Sequence, residues 1–435
     1  MSGPELLRAI FSEALARVAP AGPTARAVAE LDRAGGLGDQ VVLLATGKAA
    51  LGMAEGADAA LGARVVAREV VAPSLAGRPP RAGELEGSHP VPDGRSERAG
   101  RALLAAAAAA RPEQQVLALV SGGGSALSAV PAPGLALADK AQTIARLAAA
   151  GAPIAELTCV RRHLSAIKGG RLALASRAPV TTLLVSDVVG DRMEEIASGP
   201  TVPDPTTFED ACAVIERRIG WDAVPAAARR HLEAGRRGER DEGLRALRPG
   251  DRATLVLGLG ALVEAAEAAA RARELEVEVL EERLEGEVGE VAERLLGARV
   301  ASARSIFIAG GEPVVVLPAR PGTGGRAQQL ALLLARAIRG TDRVFLCAGS
   351  DGIDGASAAA GAVVDGATWD AIAAAGLDPA DHLARCDAAP ALAAAGAQIT
   401  TGPTGVNHAD LILALRTGSQ RRRRRAARRA GGRAR

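Results

Sequence analysis

At 435 residues the chain has room for two or three domains, and 48% apolar residues suffice for substantial cores. With four Phe, two Trp and no Tyr, the interior must be built from Leu, Val, Ile and Ala, and the stacking platforms of ordinary single-strand nucleic-acid binders are missing. The net charge of +3 hides an asymmetry, because residues 421–435 carry nine Arg and no acid, leaving the rest at 3 − 9 = −6. That mildly acidic body argues against nucleic acid as its partner, and the Arg-rich end reads as a disordered, solvated tail.

In chain order, an amphipathic helix around Glu5-Leu6-Leu7-Arg8 comes first, without the apolar core of a secretion signal. Buried strands are predicted at 41–45, 65–71, 116–120, 181–185, 254–257, 276–280, 306–309, 313–317, 344–346 and 411–415. Helices are predicted at 49–60, 95–110, 135–150, 206–219, 262–273, 287–297, 326–338 and 368–375. The alternation predicts an α/β fold with largely parallel sheets. Only Gly310-Gly311-Glu312 separates 306–309 from 313–317, which predicts a local hairpin and hence a mixed sheet in the C-terminal half. The Arg-, Gly- and Glu-rich stretch 234–249 is the linker candidate. It divides the chain into domains 1–248 and 249–416, followed by a tail at 417–435.

Cys159, Cys212, Cys347 and Cys386 form no CxxC pair, and no His stands at metal-ligand spacing. The expectation is a reduced, cytoplasmic protein with neither disulfide frame nor zinc site. No apolar run reaches the length of a membrane span, so no membrane partner is expected.

Lysine is the scarce residue: only Lys48, Lys140 and Lys168 occur among 53 basic side chains. Where Arg fills the generic surface positions, a retained Lys is a candidate for placing a compact ammonium beside an oxyanion. Lys48 follows a predicted strand and Gly47, and Lys168 precedes Gly169-Gly170. Ser121-Gly122-Gly123-Gly124-Ser125 ends the strand 116–120, and its backbone N–H groups suit phosphate or carboxylate. It is no Walker A loop, since no GK[ST] follows. Asp187 and Asp191 follow the strand 181–185, a place for Mg2+ or for orienting a hydroxyl. Arg161, Arg162, His163, Lys168 and Arg171 form an anion-binding patch along the sequence. Gly324, Gly325 and Arg326 open a helix, where an Arg opposes the helix dipole and so points to a bound anion. Asp351 and Asp354 lie in a D-G-x-D-G turn. Asn407 offers amide donors before the last strand, and His89 lies in the rigid loop Ser88-His89-Pro90-Val91-Pro92-Asp93. Gly258 and Gly260 make half a dinucleotide fingerprint, with the third glycine missing.

These loops in this order resemble the glycerate 2-kinase family of the MOFRL type, over about residues 5–415. The resemblance is carried jointly by Thr46-Gly47-Lys48, Ser88-His89-Pro90, residues 121–125, 161–170 and 186–191, Gly310-Gly311-Glu312, Gly324-Gly325-Arg326, residues 351–355 and 401–407. It implies an N-terminal Rossmann-like parallel-sheet domain and a smaller C-terminal α/β domain with a mixed sheet. It implies transfer of phosphate from ATP, with Mg2+, to the 2-hydroxyl of D-glycerate. On that reading Lys48, Arg326, Asp351 and Asp187 are catalytic, and Asp187, Asp191 and Asp351 are the metal candidates. Ser121, Gly122, Gly123, Gly124, Ser125, Lys168, His89, Gly324, Gly325 and Asn407 bind substrate or phosphate. Glycerate and nucleotide are the partners, and a homodimer is left open. The chain departs from the family pattern at Pro313, Ala327, Gln329 and Val406. Two alternatives remain at this point: an NAD(P)-dependent hydroxypyruvate reductase, and a catalytically weakened paralogue that binds a sugar acid or nucleotide.

Overall fold

The computed structural model describes residues 1–417 except 76, 189, 299–303, 403 and 406–407, with side chains left out at 281–283. Asn407, Val406 and the Arg-rich tail therefore lie outside the described residues. The chain divides into two compact units, Pro20–Leu259 and Met1–Ala19 with Gly260 onward.

The first unit is built on six strands: β1 (Val41–Thr46), β2 (Val65–Ala72), β3 (Glu84–Glu86), β4 (Gln115–Ser121), β5 (Val180–Val185) and β6 (Arg252–Leu257). They pair in the order β3-β2-β1-β4-β5-β6, every neighbour parallel. β1 and β5 are buried along their whole length, which explains the apolar run Val41–Ala45 and requires the buried Thr182 hydroxyl of β5 to find a partner in Thr201, because helices cover both faces of a parallel sheet. The order is that of the Rossmann fold and reverses direction between β1 and β4, where such sheets open a crevice at their carboxyl ends.

The second unit carries β7 (Glu276–Leu284), β8 (Ser305–Gly311), β9 (Arg343–Gly349), β10 (Gly361–Asp365), β11 (Gln398–Ile399) and β12 (Asp410–Arg416). Their order is β11-β10-β9-β12-β8-β7, with β7 and β8 parallel and the other neighbours antiparallel. The sheet is mixed, as expected, but the expected hairpin is not the cause. β8 has β12 on one edge and β7 on the other, so no edge remains for 313–317. Pro313 has no N–H to give, and Val314, Val316 and Leu317 stay exposed. Only Val314 joins in, through a single bridge with Glu287.

The domain break at 248 needs correction. β6 pairs with β5 from Thr181–Arg252 to Val185–Leu257, so the first unit runs on to Leu259. The N-terminal helix Gly3–Arg17 belongs to the other unit, where it buries Leu7, Ile10, Phe11 and Ala14. Its Arg8 donates to the carbonyls of Gln398 and Ala397 at 2.8 and 3.1 Å. The stretch 234–249 is no linker. Leu244 is buried in the same core cluster as Leu172 and Val180. Its N–H donates to the Gly169 carbonyl at 3.1 Å, and its carbonyl accepts from the Asp204 N–H at 2.8 Å. Leu244→Ala should therefore cost about 2–5 kcal/mol in urea unfolding, whereas a cost under about 0.5 kcal/mol would return the stretch to the status of a spacer.

Candidate active site

In the first unit the loops after β1 and β4 are pressed together at the point where strand order reverses. The Lys48 N–H donates to the Gly122 carbonyl at 2.8 Å, and the Ala49 N–H donates to Ser121 Oγ at 3.0 Å. Gly47 has φ +131°, and any Cβ there would collide with Ser121. Gly122 likewise leaves space that the Asp187 carboxylate fills. At Gly123, φ +80°, a Cβ would lie 3.1 Å from Lys48 Cγ and 3.4–3.5 Å from the His89 ring. Lys48, His89, Gly123 and the neighbouring Ser125 thus form one cluster, to which Asp187 is joined through Gly122. Gly124 starts the single turn Gly124–Leu127, and the Ser125 hydroxyl meets that of Ser198 at 3.0 Å. His89 keeps an exposed face, yet its imidazole is held below the ordinary histidine value, first by partial desolvation and then by the Lys48 charge. It is uncharged at neutral pH.

Other expected groups are spent inside the fold. Lys168 is buried, and its Nζ donates to the carbonyls of Ser125 and Ser128 at 2.8 and 3.3 Å. Desolvation, with the nearby Arg161 charge, lowers it to about 7. It braces the glycine loop from behind, so the expectation of direct phosphate contact is corrected. Arg162 is paired with Asp204 at 2.9 Å, both buried. His163 is held between the Cys159 carbonyl at 2.9 Å and Glu242 at 3.2 Å. Arg171 donates to the carbonyls of Lys168 and Asp241 at 3.1 and 3.0 Å. The linear patch therefore does not survive folding, with Arg161 the exception. Asp191, at φ 53°, accepts the Leu259 N–H at 2.9 Å and lies against Gly258. It pins the loop after β6, which explains both its strained backbone and why that half-fingerprint offers no open cradle.

In the second unit a cleft of about 670 Å³ is lined by Gly324, Gly325, Arg326, Asp351, Asp354 and Asp410. Arg326 opens the helix Arg326–Ala337, but the protein supplies the anions itself. Asp410 accepts from its guanidinium at 2.8 and 3.1 Å, and Glu312 accepts at 3.1 Å. The Asp354 carboxylate takes the N–H groups of Ala327 and Gln328 at 3.0 and 2.8 Å, filling the helix N-terminus expected to hold a ligand. The Asp351 carboxylate accepts the Ile353 N–H at 3.1 Å. Asp351 and Asp410 each present an oxygen 3.3 Å from where a Gly349 Cβ would be.

Asp410 escaped the sequence reading. Its one signal is an acid at the start of an otherwise apolar strand. In the sheet it is flanked by Gly311 and Gly349, whose missing side chains make room for the Arg326 pair. Among the altered positions, Gln329 is buried and donates to the Leu383 carbonyl at 2.9 Å, while its Oε1 has no partner among the described residues.

Among the described residues no three His, Cys, Asp or Glu side chains come close enough to hold a metal ion. Mg2+ asks for less, binding one or two carboxylates plus waters and phosphate oxygens. Asp187 against the glycine loop, and Asp351 with Asp410, are donor sets of that kind.

The family model described as MOFRL matches residues 305–410, and a domain of unknown function, DUF4147, matches residues 6–233. A curated D-glycerate 2-kinase of Thermotoga maritima is 35% identical over 87% of this chain and 91% of its own length. A protein of Agrobacterium vitis named putative hydroxypyruvate reductase is 38% identical over 95% of both chains. The crystal structure of a glycerate kinase from Thermotoga maritima superposes with a TM-score of 0.86 and 33% identity, covering 95% of this chain and 99% of that one. Fold and comparisons together define a two-unit α/β kinase. The chain belongs to the glycerate 2-kinase family.

Burial is the largest influence on Asp410 and raises its carboxyl to about 7, with Arg326 opposing and Asp354 and Glu312 adding to the rise. Burial also works against the Arg326 charge, but Asp410 and Glu312 outweigh it and the net direction is upward. The two directions conflict, since one favours a neutral Asp410 and the other an ionised partner. The two-point contact favours the ionised pair at neutral pH, with protonation in mild acid. A carboxyl with a folded value above its unfolded one contributes stability at low pH that is lost as pH rises through the folded value. Stability relative to Asp410→Asn should therefore be greatest below about pH 4 and fall from there to about pH 7 in urea titrations, and a relative gain would mean that Arg326 holds the carboxylate below its ordinary value.

Proposed function

We propose that this protein phosphorylates D-glycerate at the 2-hydroxyl, using ATP and Mg2+. The observation that carries the reading is the convergence of Lys48, His89 and Gly123 at the switch point between β1 and β4, where open parallel sheets bind their ligands. Lys48 brings a compact ammonium to the oxygens of the transferred phosphate, where charge must be neutralised. Gly122, Gly123 and Gly124 allow close backbone approach, and their N–H groups serve as donors. The uncharged His89 offers a hydrogen bond to the acceptor hydroxyl or to a phosphate oxygen. Asp187, held against Gly122, is the residue of this unit that would hold Mg2+, which when bound offsets charge on the phosphate oxygens. In the second unit Arg326 is already compensated by Asp410 and Glu312, so the group of that cleft which would serve as a hard oxygen ligand is Asp351. Catalysis of this type rests on positioning and charge neutralisation.

The name of the Agrobacterium vitis relative raises hydride transfer as a second reading. Against it stand the loop after β1, which reads Thr46-Gly47-Lys48-Ala49-Ala50 without a glycine fingerprint, and the loop after β6, closed by Asp191.

The test is ADP release with D-glycerate, ATP and Mg2+, the product's phosphate position read by ³¹P NMR, beside a nicotinamide absorbance assay with hydroxypyruvate. Formation of 2-phosphoglycerate is expected, and nicotinamide turnover without ADP release would reverse the assignment. Lys48→Ala should lower kcat/KM at least about 100-fold, equivalent to about 2.7 kcal/mol, and Lys48→Arg should rescue little of it. A loss under about threefold would remove Lys48 from the mechanism.

A further inference from the structure

A second cleft in the first unit, of about 390 Å³, begins at His89, Gly123 and Ser125 and continues along the helix Leu137–Ala149 to Lys140 and Arg161. Its wall along that helix is apolar, formed by Ala141, Ile144, Ala145 and Ala148. Lys140 is only 5% exposed, and its Nζ, sealed from solvent, has no hydrogen-bond partner among the described residues. Burial, and then the charges of Lys168, Arg161 and Arg171, hold Lys140 well below the ordinary lysine value, so its ammonium form is disfavoured until an anion is present. Arg161 has its own charge disfavoured by burial, and no carboxylate among the described residues offsets that cost. A buried ammonium without an acid is expensive and tends to give up its proton, and an anion in the cleft would supply the missing charge and restore it. Cavity size and apolar lining fit a small-molecule site, and the dry wall strengthens any attraction inside it.

We propose that this cleft binds an anionic oxyacid group, a carboxylate or a phosphate, through Lys140 and Arg161. Lys140 then joins Lys48 in a job Arg does not do: its flexible stem lets a compact ammonium turn to the anion from a tight apolar wall. The cleft is continuous with the Lys48 cluster through Gly123 and His89, so the inference rests on the kinase reading and extends it. The anion is either the carboxylate of the acceptor or a phosphate of the nucleotide.

The test uses Lys140→Met and Arg161→Gln in the full chain. Lys140→Met should keep or raise Tm, because an apolar side chain of similar length replaces a buried amine with no hydrogen-bond partner among the described residues. The KM of one substrate should rise at least about tenfold in both variants. A rise for D-glycerate assigns the carboxylate, and a rise for ATP assigns the phosphate. Both constants staying within about threefold of the parent, with Tm retained, would overturn the proposal. Should Lys140→Met fail to fold, Arg161→Gln carries the same comparison. Calorimetric titration of the parent and both variants with D-glycerate and with inorganic phosphate separates this inference from the kinase reading. An anion that binds the parent and binds the variants at least about tenfold more weakly supports the site even without turnover. Absence of binding and of turnover in the parent would overturn both readings.

Discussion

The first unit depends on two loops approaching more closely than side chains allow. The loop after β1 and the loop after β4 are joined by the Lys48 N–H on the Gly122 carbonyl and the Ala49 N–H on Ser121 Oγ. That contact exists because Gly47 leaves no Cβ in the way of Ser121, while Gly122 makes room for the Asp187 carboxylate. With the loops locked, Lys48 and His89 have a defined place over Gly123, and the Asp187 carboxylate a defined place against Gly122. The buried Lys168 tightens the same construction from behind through the Ser125 and Ser128 carbonyls. Backbone geometry thus sets the position of every group that the kinase reading uses here.

The second unit solves a different problem, the balance of charge around a partly buried guanidinium. Arg326 stands at a helix start, where a cation is unfavourable, and Asp410 and Glu312 compensate it. Asp354 uses the free N–H groups of the same turn. What faces this cleft is accordingly a set of carboxylates around one Arg, better suited to a cation or a polyhydroxy ligand than to a bare anion. Among the described residues, the buried basic groups Lys140 and Arg161 lie instead beside the other cleft, without a carboxylate partner. The three lysines have three roles: one beside the glycine loop, one bracing it, and one sealed beside an apolar cleft.

Local chemistry made much of this legible. Near-continuous apolar runs marked the parallel strands, glycine-rich segments marked the loops at their carboxyl ends, and the scarcity of lysine marked Lys48. The order of motifs carried the family. These signals lie within a few residues of one another, which is the range over which hydrophobic period and turn chemistry act.

Folding decided the partners. Whether an acid faces a ligand or an N–H depends on groups far along the chain: Asp191 meets Leu259, Arg326 meets Asp410, and Arg162 meets Asp204. The edges of β8 were taken by β7 and by the last strand, which left Pro313 and its neighbours no partner, and the first helix joined the unit whose remaining residues begin at Gly260. The sequence by itself determined the fold class, the loops and the family, because those follow from composition and local pattern. Only the tertiary structure decided which charges were already neutralised, because burial and pairing are properties of contacts between residues that the sequence holds apart.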